Sequence, residues 1–143
     1  MDTIFVKAQD IKRAWYVIDA AGKPLGRVAA KAASLARGKH KAEYAPHQNT
    51  GDYVVIINAD KVAVSGGKEQ KKMYYNYTGF VGNLKHYTFE KLLARHPSEP
   101  LERAIKGMLP HNRLGRVLFE NVKVYAGAEH QHAAQQPKVL EIK

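Results

Sequence analysis

Arg113 and Arg116, three residues apart in Asn112-Arg113-Leu114-Gly115-Arg116, form a basic elbow just after Pro110. A guanidinium is planar and always charged, so it can grip a phosphate through two parallel N–H bonds or stack on a base. No acid lies between Glu102 and Glu120, where Arg103 and Lys106 carry the same sign. Two further stretches repeat the pattern. Between Asp19 and Glu43 there is no acid, while Lys23, Arg27, Lys31, Arg37, Lys39 and Lys41 follow one another. Lys68, Lys71, Lys72 and Lys85 form a third patch, broken only by Glu69. A surface that needed only solubility would interleave its signs. Three acid-free stretches instead suit a surface that covers many phosphates.

The whole chain agrees with that reading. Its 143 residues carry 23 Lys and Arg against 13 Asp and Glu, a net charge of +10 with His neutral. That charge draws polyanions. A hydrophobic fraction of 45% supports a core, and the length suits one domain spanning 1–143.

Other chemistries find less support. There is no cysteine, which removes thiolate metal sites, a Cys nucleophile and a disulfide scaffold. The turn Gly22-Lys23-Pro24-Leu25-Gly26-Arg27 lacks the G-x-G-x-x-G spacing of a dinucleotide site, and Gly66-Gly67-Lys68-Glu69 lacks that of a P-loop. His130 and His132 have close spacing for two metal ligands but no further ligand cluster beyond Glu129. His40, His47, His86 and His111 stand beside Lys, Pro or Asn in loops, a setting that suits phosphate or base contact better than catalysis. No G-x-S-x-G elbow and no paired carboxylates are present. The sequence therefore predicts no catalytic residues, no metal, no cofactor and no small-molecule substrate.

A membrane partner is also disfavoured. No apolar run approaches the ~18 residues of a spanning helix, and the second residue is Asp2 rather than an acylable Gly. Met1–Asp10 holds Asp2, Lys7 and Asp10 and does not read as a signal peptide. The expectation is a soluble, cytoplasmic protein.

Aromatic residues sharpen the partner class. Tyr74, Tyr75, Tyr77 and Phe80 are interleaved with Lys71, Lys72 and Lys85 and two glycines, as rings that stack on splayed bases would be. Burial of half of them in an edge strand is the equal alternative. Tyr53, Phe89 and Phe119 read as core. Without the signature of an RRM, KH domain or zinc finger, recognition of folded RNA by shape and phosphate fits better than readout of DNA sequence.

The elements that must position these residues follow from periodicity. Residues 1–12 read as an irregular arm. Trp15–Asp19 is a β-prone run, and Leu25, Val28, Ala29, Ala32, Leu35 and Ala36 mark one face of a helix ending near Gly38. Tyr53–Asn58 is apolar without alternation, as in a parallel strand buried on both faces. Ala59–Ser65 fits either a short helix or a second extended run. Met73–Tyr77 reads as an edge strand and Thr78–Lys85 as a mobile loop. Phe89, Leu92 and Leu93 mark a helix stopped by Pro97. Ser98 is placed to cap the next helix, with Pro100 in its first turn. That helix has the stripe Leu101, Ala104, Ile105, Met108 and Leu109, with Arg103 and Lys106 facing outward. Val122–Tyr125 is a last strand, and a tail from about 128 to 143 shows little core signal. Strand, helix, strand makes a βαβ unit, so the class is α/β with a small, mostly parallel sheet.

Ile105-Lys106-Gly107-Met108-Leu109-Pro110-His111-Asn112-Arg113-Leu114-Gly115-Arg116, followed by Val122-Lys123-Val124-Tyr125-Ala126-Gly127, resembles the signature segment of the bacterial-type family of ribosomal protein thirteen of the large subunit. Arg13–Ala20, Leu25-Gly26-Arg27, Gly38–Lys41, Gly51–Ala59 and His132–Pro137 resemble the same family, in its order and over nearly the whole chain. The resemblance implies a three-layer α/β/α fold around a four-stranded, mainly parallel sheet. It implies a structural constituent of the large ribosomal subunit that binds the large-subunit rRNA directly, early in assembly, beside neighbouring large-subunit proteins. Carried onto matching positions, it implies RNA contacts at Arg27, Lys39, Lys41, Lys106, Asn112, Arg113 and Arg116. Tyr77–Asn83 departs from the family's pattern, which there reads close to His-Ser/Thr-Gly-Tyr-Pro-Gly-Gly.

Overall fold

A computed structural model describes residues 6–142 of the chain. Of the expected arm, residues 1–5 lie outside the described residues, and 6–12 are irregular with one turn. Two strands and a helix open the fold: β1 (Trp15–Asp19), α1 (Leu25–Arg37) and β2 (Tyr53–Ile57). β1 and β2 pair in parallel from Trp15 with Tyr53 to Asp19 with Ile57, as the strand–helix–strand reading requires. Asp19 closes β1. Its Oδ1 accepts from the Ala21 N–H at 3.0 Å and from Asn58 Nδ2 at 2.8 Å. These bonds hold its carboxyl below the ordinary carboxylate range, the Asn58 bond most of all.

The segment after β2, open between helix and strand in the sequence, is a 3₁₀ turn (Ala59–Lys61) followed by an extended run in which Ala63 bridges Pro24. Gly66 and Gly67 both take positive φ and lead into a one-turn helix, α2 (Lys68–Lys71), which the sequence did not predict. β3 (Met73–Tyr77) is a strand as expected, but it is not an edge of the main sheet. It pairs antiparallel with β4 (Leu84–Thr88) as a separate hairpin. The expected loop Thr78–Lys85 is thus shorter, its last two residues belonging to β4.

Three helices follow, α3 (Phe89–Arg95), α4 (Glu99–Met108) and α5 (Arg113–Glu120), then β5 (Val122–Val124) and β6 (Lys138–Val139). Thr88 caps α3 by accepting from the Lys91 N–H. Ser98 occupies the N-cap position of α4 but makes no capping bond, because its backbone is already helical. α5 corrects the elbow reading: Arg113 and Arg116 lie in and just after the first turn of a helix rather than in a loop.

The main sheet has the order β5-β2-β1-β6 with every neighbouring pair parallel. β6 corrects the reading of the tail. Lys138 and Val139 pair with Tyr16 and Val17, and the main chain supplies the bonding that two exposed side chains do not advertise. Alternation sorts the side chains of the sheet. Ile18, Val54 and Ile56 pack with Val28, Ala32 and Leu35 of α1, Leu101 and Ile105 of α4, Leu118 of α5 and Phe89 of α3. Full burial of an aliphatic side chain such as Ile105 contributes about 1.5–3 kcal/mol. Trp15, Val17, Tyr53 and Val55 face the other way, where Trp15 stacks on Tyr53 and on His132, the residue before the 3₁₀ turn Ala133–Gln135. Helical layers thus flank the sheet as expected, the second being thin. No helix among the described residues is long and apolar enough to cross a membrane.

Candidate nucleic-acid interface

Each residue of the elbow has a structural reason. α4 ends as Leu109 returns to the core and Pro110 blocks its continuation. Asn112 then caps α5, its Oδ1 accepting from the Gly115 N–H at 2.8 Å. Leu114 packs against the core. Gly115 is buried against the elbow, and a Cβ there would run into the Pro110 carbonyl oxygen. With Leu114 and Gly115 turned inward, Arg113 and Arg116 are left exposed, three residues apart on the outer face.

Neither guanidinium has a hydrogen bond, ion pair or ring contact among the described residues. The first turn of α5 contains no acid. Two cations at the positive end of a helix dipole are repelled by it, so this start carries an electrostatic cost that an anion would relieve. Beside it lies a cleft of about 480 Å³, lined by Lys106, Pro110, His111, Asn112, Gly115, Arg116, Phe119 and Glu120. The structure therefore brings Lys106, Asn112 and Arg116 together, with Arg113 next to them. The cleft also draws in Phe119, which the sequence read as core, and Glu120, which it did not single out. Their spacing of three and four from Arg116 was the available signal, usable only once the elbow is known to be helical.

The other candidates are distributed. Lys39 is exposed at the end of α1 and lines a smaller cleft with Arg37 and Met108. Met108 was expected in the apolar stripe of α4 but lies 46% exposed there. Arg27 is exposed in the first turn of α1, at the far end of that helix, again with no acid in the turn. Lys68, Lys71 and Lys85 are exposed around the hairpin, and the Lys72 ammonium sits 5.2 Å from the ring centroid of Tyr74.

Lys41 is turned inward. Its three ammonium protons meet Asp52 Oδ1 at 2.6 Å, the Lys12 carbonyl at 2.7 Å and the Thr50 carbonyl at 3.0 Å. Asp52 is 1% exposed and also accepts from the Ala14 N–H, while its Oδ2 lies 2.6 Å from His40 Nε2. The reason is a close passage of the chain. Gly38 ends α1 in the left-handed conformation, and Gly51 lies so near the Ala36 carbonyl that no Cβ fits. Asp52 is thereby placed under the loop 38–41, where a lysine must neutralise it. Lys41 holds the fold and does not present a free charge.

Two further residues differ from expectation. Arg103 does not face outward: it bonds Glu99 at 2.8 Å and lies over the Tyr74 ring, 5.6 Å from its centroid. His132 accepts or donates at 3.0 Å with the Tyr125 hydroxyl and stacks on Trp15. Among the described residues no three His, Cys, Asp or Glu side chains converge on a metal position.

Comparison with known proteins is decisive about kinship. The family described as Ribosomal protein L13 matches residues 13–131. The large ribosomal subunit protein uL13 of Treponema denticola is 62% identical over 142 residues, covering 99% of this chain and 100% of that protein. The match spans β1, the buried Asp52 anchor, the hairpin and the elbow alike, and the chain belongs to the ribosomal protein L13 family.

Proposed function

We propose that the protein is a structural constituent of the large ribosomal subunit that binds the large-subunit rRNA directly and supports early assembly of the subunit, with no catalytic role. The reading rests on one observation above the others: Arg113 and Arg116 stand exposed and unpartnered at an α5 start with no acid in its first turn. Lys106, Asn112 and Lys39 extend that surface, and Arg27 and the lysines Lys68, Lys71, Lys72 and Lys85 supply outlying contacts. Cations from these segments neutralise phosphates of RNA strands that otherwise repel one another. The anchor at Asp52 and the α4 stripe keep the surface rigid, so little ordering is required on binding. Neighbouring subunit proteins complete the set of partners, and the site of action is the cytoplasmic ribosome.

The test is a titration against fragments of large-subunit rRNA, with tRNA as competitor, over a series of salt concentrations. Tight binding to one fragment that survives tRNA and falls linearly on a log–log salt plot is expected. Arg113→Ala with Arg116→Ala should weaken that binding and flatten the salt slope by about 0.7–0.9 for each phosphate that is no longer neutralised. Equal, weak binding to every RNA would reject the reading.

A further inference from the structure

The hairpin of β3 and β4 has two unlike faces. Strand alternation puts Tyr74 and Tyr87 on one face and Tyr75, Tyr77, Leu84 and His86 on the other. The first face is pinned to the body. Tyr74 is only 9% exposed, with Arg103 and Lys72 over its ring, and Arg95 lies over the Tyr87 ring and donates to its hydroxyl at 3.3 Å. Arg103 also donates to the Tyr75 carbonyl. A two-stranded hairpin alone is marginal in water, and these contacts explain how this one is held rigid.

The second face is open. Tyr75 is 61% exposed and Tyr77 60%, with Phe80 and Val81 exposed at the tip and Leu84 opposite Tyr77. Rings this exposed are a cost in water unless something covers them. Charge indicates what does. Residues 70–89 contain no Asp or Glu and include Lys71, Lys72, Lys85 and His86. Glu69 and Glu90 flank this stretch on either side, and Glu99 of α4 is bonded to Arg103.

We propose that this face is a stacking platform for unpaired RNA bases. The proposal rests on the reading of the protein as an RNA binder and names a second, distinct contact for it. Alternate residues of an antiparallel strand are about 6.8 Å apart, so Tyr75 and Tyr77 each offer a ring to successive bases of a strand whose own stacking is opened. His86, tilted beside Tyr75 with ring centroids 6.3 Å apart, widens the platform. Lys71, exposed at the base of β3, takes phosphates beside the platform, while Lys72 and Lys85 lie on the pinned face and add only to the positive field around the hairpin. Stacking on tyrosine tolerates any base, because every base has a π-face. The platform therefore recognises unpaired RNA as a class rather than a sequence.

The experiment uses the full chain and two labelled RNAs of equal length, an unstructured oligouridine and a blunt duplex, at physiological salt. Tyr75→Ser with Tyr77→Ser should weaken the oligouridine complex by about tenfold or more and leave the duplex nearly unchanged. Tyr75→Phe with Tyr77→Phe should bind as wild type does, since the ring is kept. Both side chains are exposed, and an unaltered thermal melt confirms that the variants are folded. Unchanged oligouridine affinity with both rings removed overturns the proposal. That result leaves the elbow reading standing, which the Arg113→Ala, Arg116→Ala variant tests on rRNA fragments.

Discussion

Gly38-Lys39-His40-Lys41 and Asn112-Arg113-Leu114-Gly115-Arg116 are both basic connections leaving the end of a packed helix, α1 in one case and α4 in the other. In each, a glycine is required by close packing: Gly38 by its left-handed conformation and Gly115 by the Pro110 carbonyl. Yet in the first the last cation is drawn inside, onto Asp52, and in the second both arginines remain free. The difference lies outside either segment. Asp52 arrives from eleven residues beyond Lys41 and is buried, so a positive charge must meet it. No buried acid arrives under the elbow, and Glu120, which lines the cleft beside it, pairs with neither arginine. Whether a cation builds the fold or faces a partner is decided by what buried charge the tertiary structure brings within reach.

Breaking the first region should be costly. Asp52→Ala strands the Lys41 ammonium and removes the acceptor for Ala14 and His40, and a loss of about 3–5 kcal/mol is expected by denaturant unfolding. Replacing the pair together, with Lys41→Met and Asp52→Asn, should recover part of it. A double variant as unstable as Asp52→Ala would mean that the charge pair is not the source of the loss.

Gly115→Ala tests whether the second region is as tightly built as the first. The added methyl meets the Pro110 carbonyl, and a destabilisation of about 1–3 kcal/mol is expected together with weaker rRNA binding. A variant of wild-type stability would show that the elbow yields easily and that its rigidity is not what presents the arginines.

Acid provides a smaller and separately located effect. Asp19, at the end of β1, has its carboxyl held below the usual range by Asn58 and the Ala21 N–H. A lowered folded value means the contribution is present above the unfolded value of about 4 and is lost as pH falls through the folded value. Asp19→Asn should therefore lower stability modestly at neutral pH and flatten the acid limb below about pH 4, so that variant and wild type converge at low pH. An unchanged acid limb would mean that Asp19 contributes nothing to acid sensitivity.

The smallest effect on stability is expected from the arginines themselves. Arg113→Ala with Arg116→Ala should stay within about 0.5 kcal/mol of wild type, since neither exposed side chain makes a hydrogen bond, ion pair or ring contact among the described residues. A loss as large as that of Asp52→Ala would show that the elbow cations serve the fold after all, and the two regions would no longer differ in kind.

Much of this was legible in the chain. Periodicity marked α1, α3 and α4, and the unbroken apolar run of β2 announced a parallel strand covered on both sides. Each is a local property that burial of one face imposes on consecutive residues. Other features were not legible, for the converse reason. β6 has two exposed side chains and owes its place to main-chain bonds with β1. The start of β4, Leu84 and Lys85, looked like loop because both residues are exposed and Gly79, Gly82 and Asn83 precede them. Within one run of aromatics, Tyr74 is buried and Tyr75 and Tyr77 are open. Composition could not separate these tyrosines; the parity of a strand pinned by Arg95 and Arg103 did.

The sequence by itself determined a net charge that draws polyanions, the kinship and the α/β class, because net charge, motif order and hydrophobic period are summed along the chain and survive any arrangement of it. Only the tertiary structure decided that Lys41 is an anchor, that Arg113 and Arg116 begin a helix beside a cleft, and that two tyrosines of three face outward. Those outcomes depend on which distant residue lies within a few ångströms, Asp52 under Lys41 or the Pro110 carbonyl against Gly115, and proximity of that kind is created by folding alone.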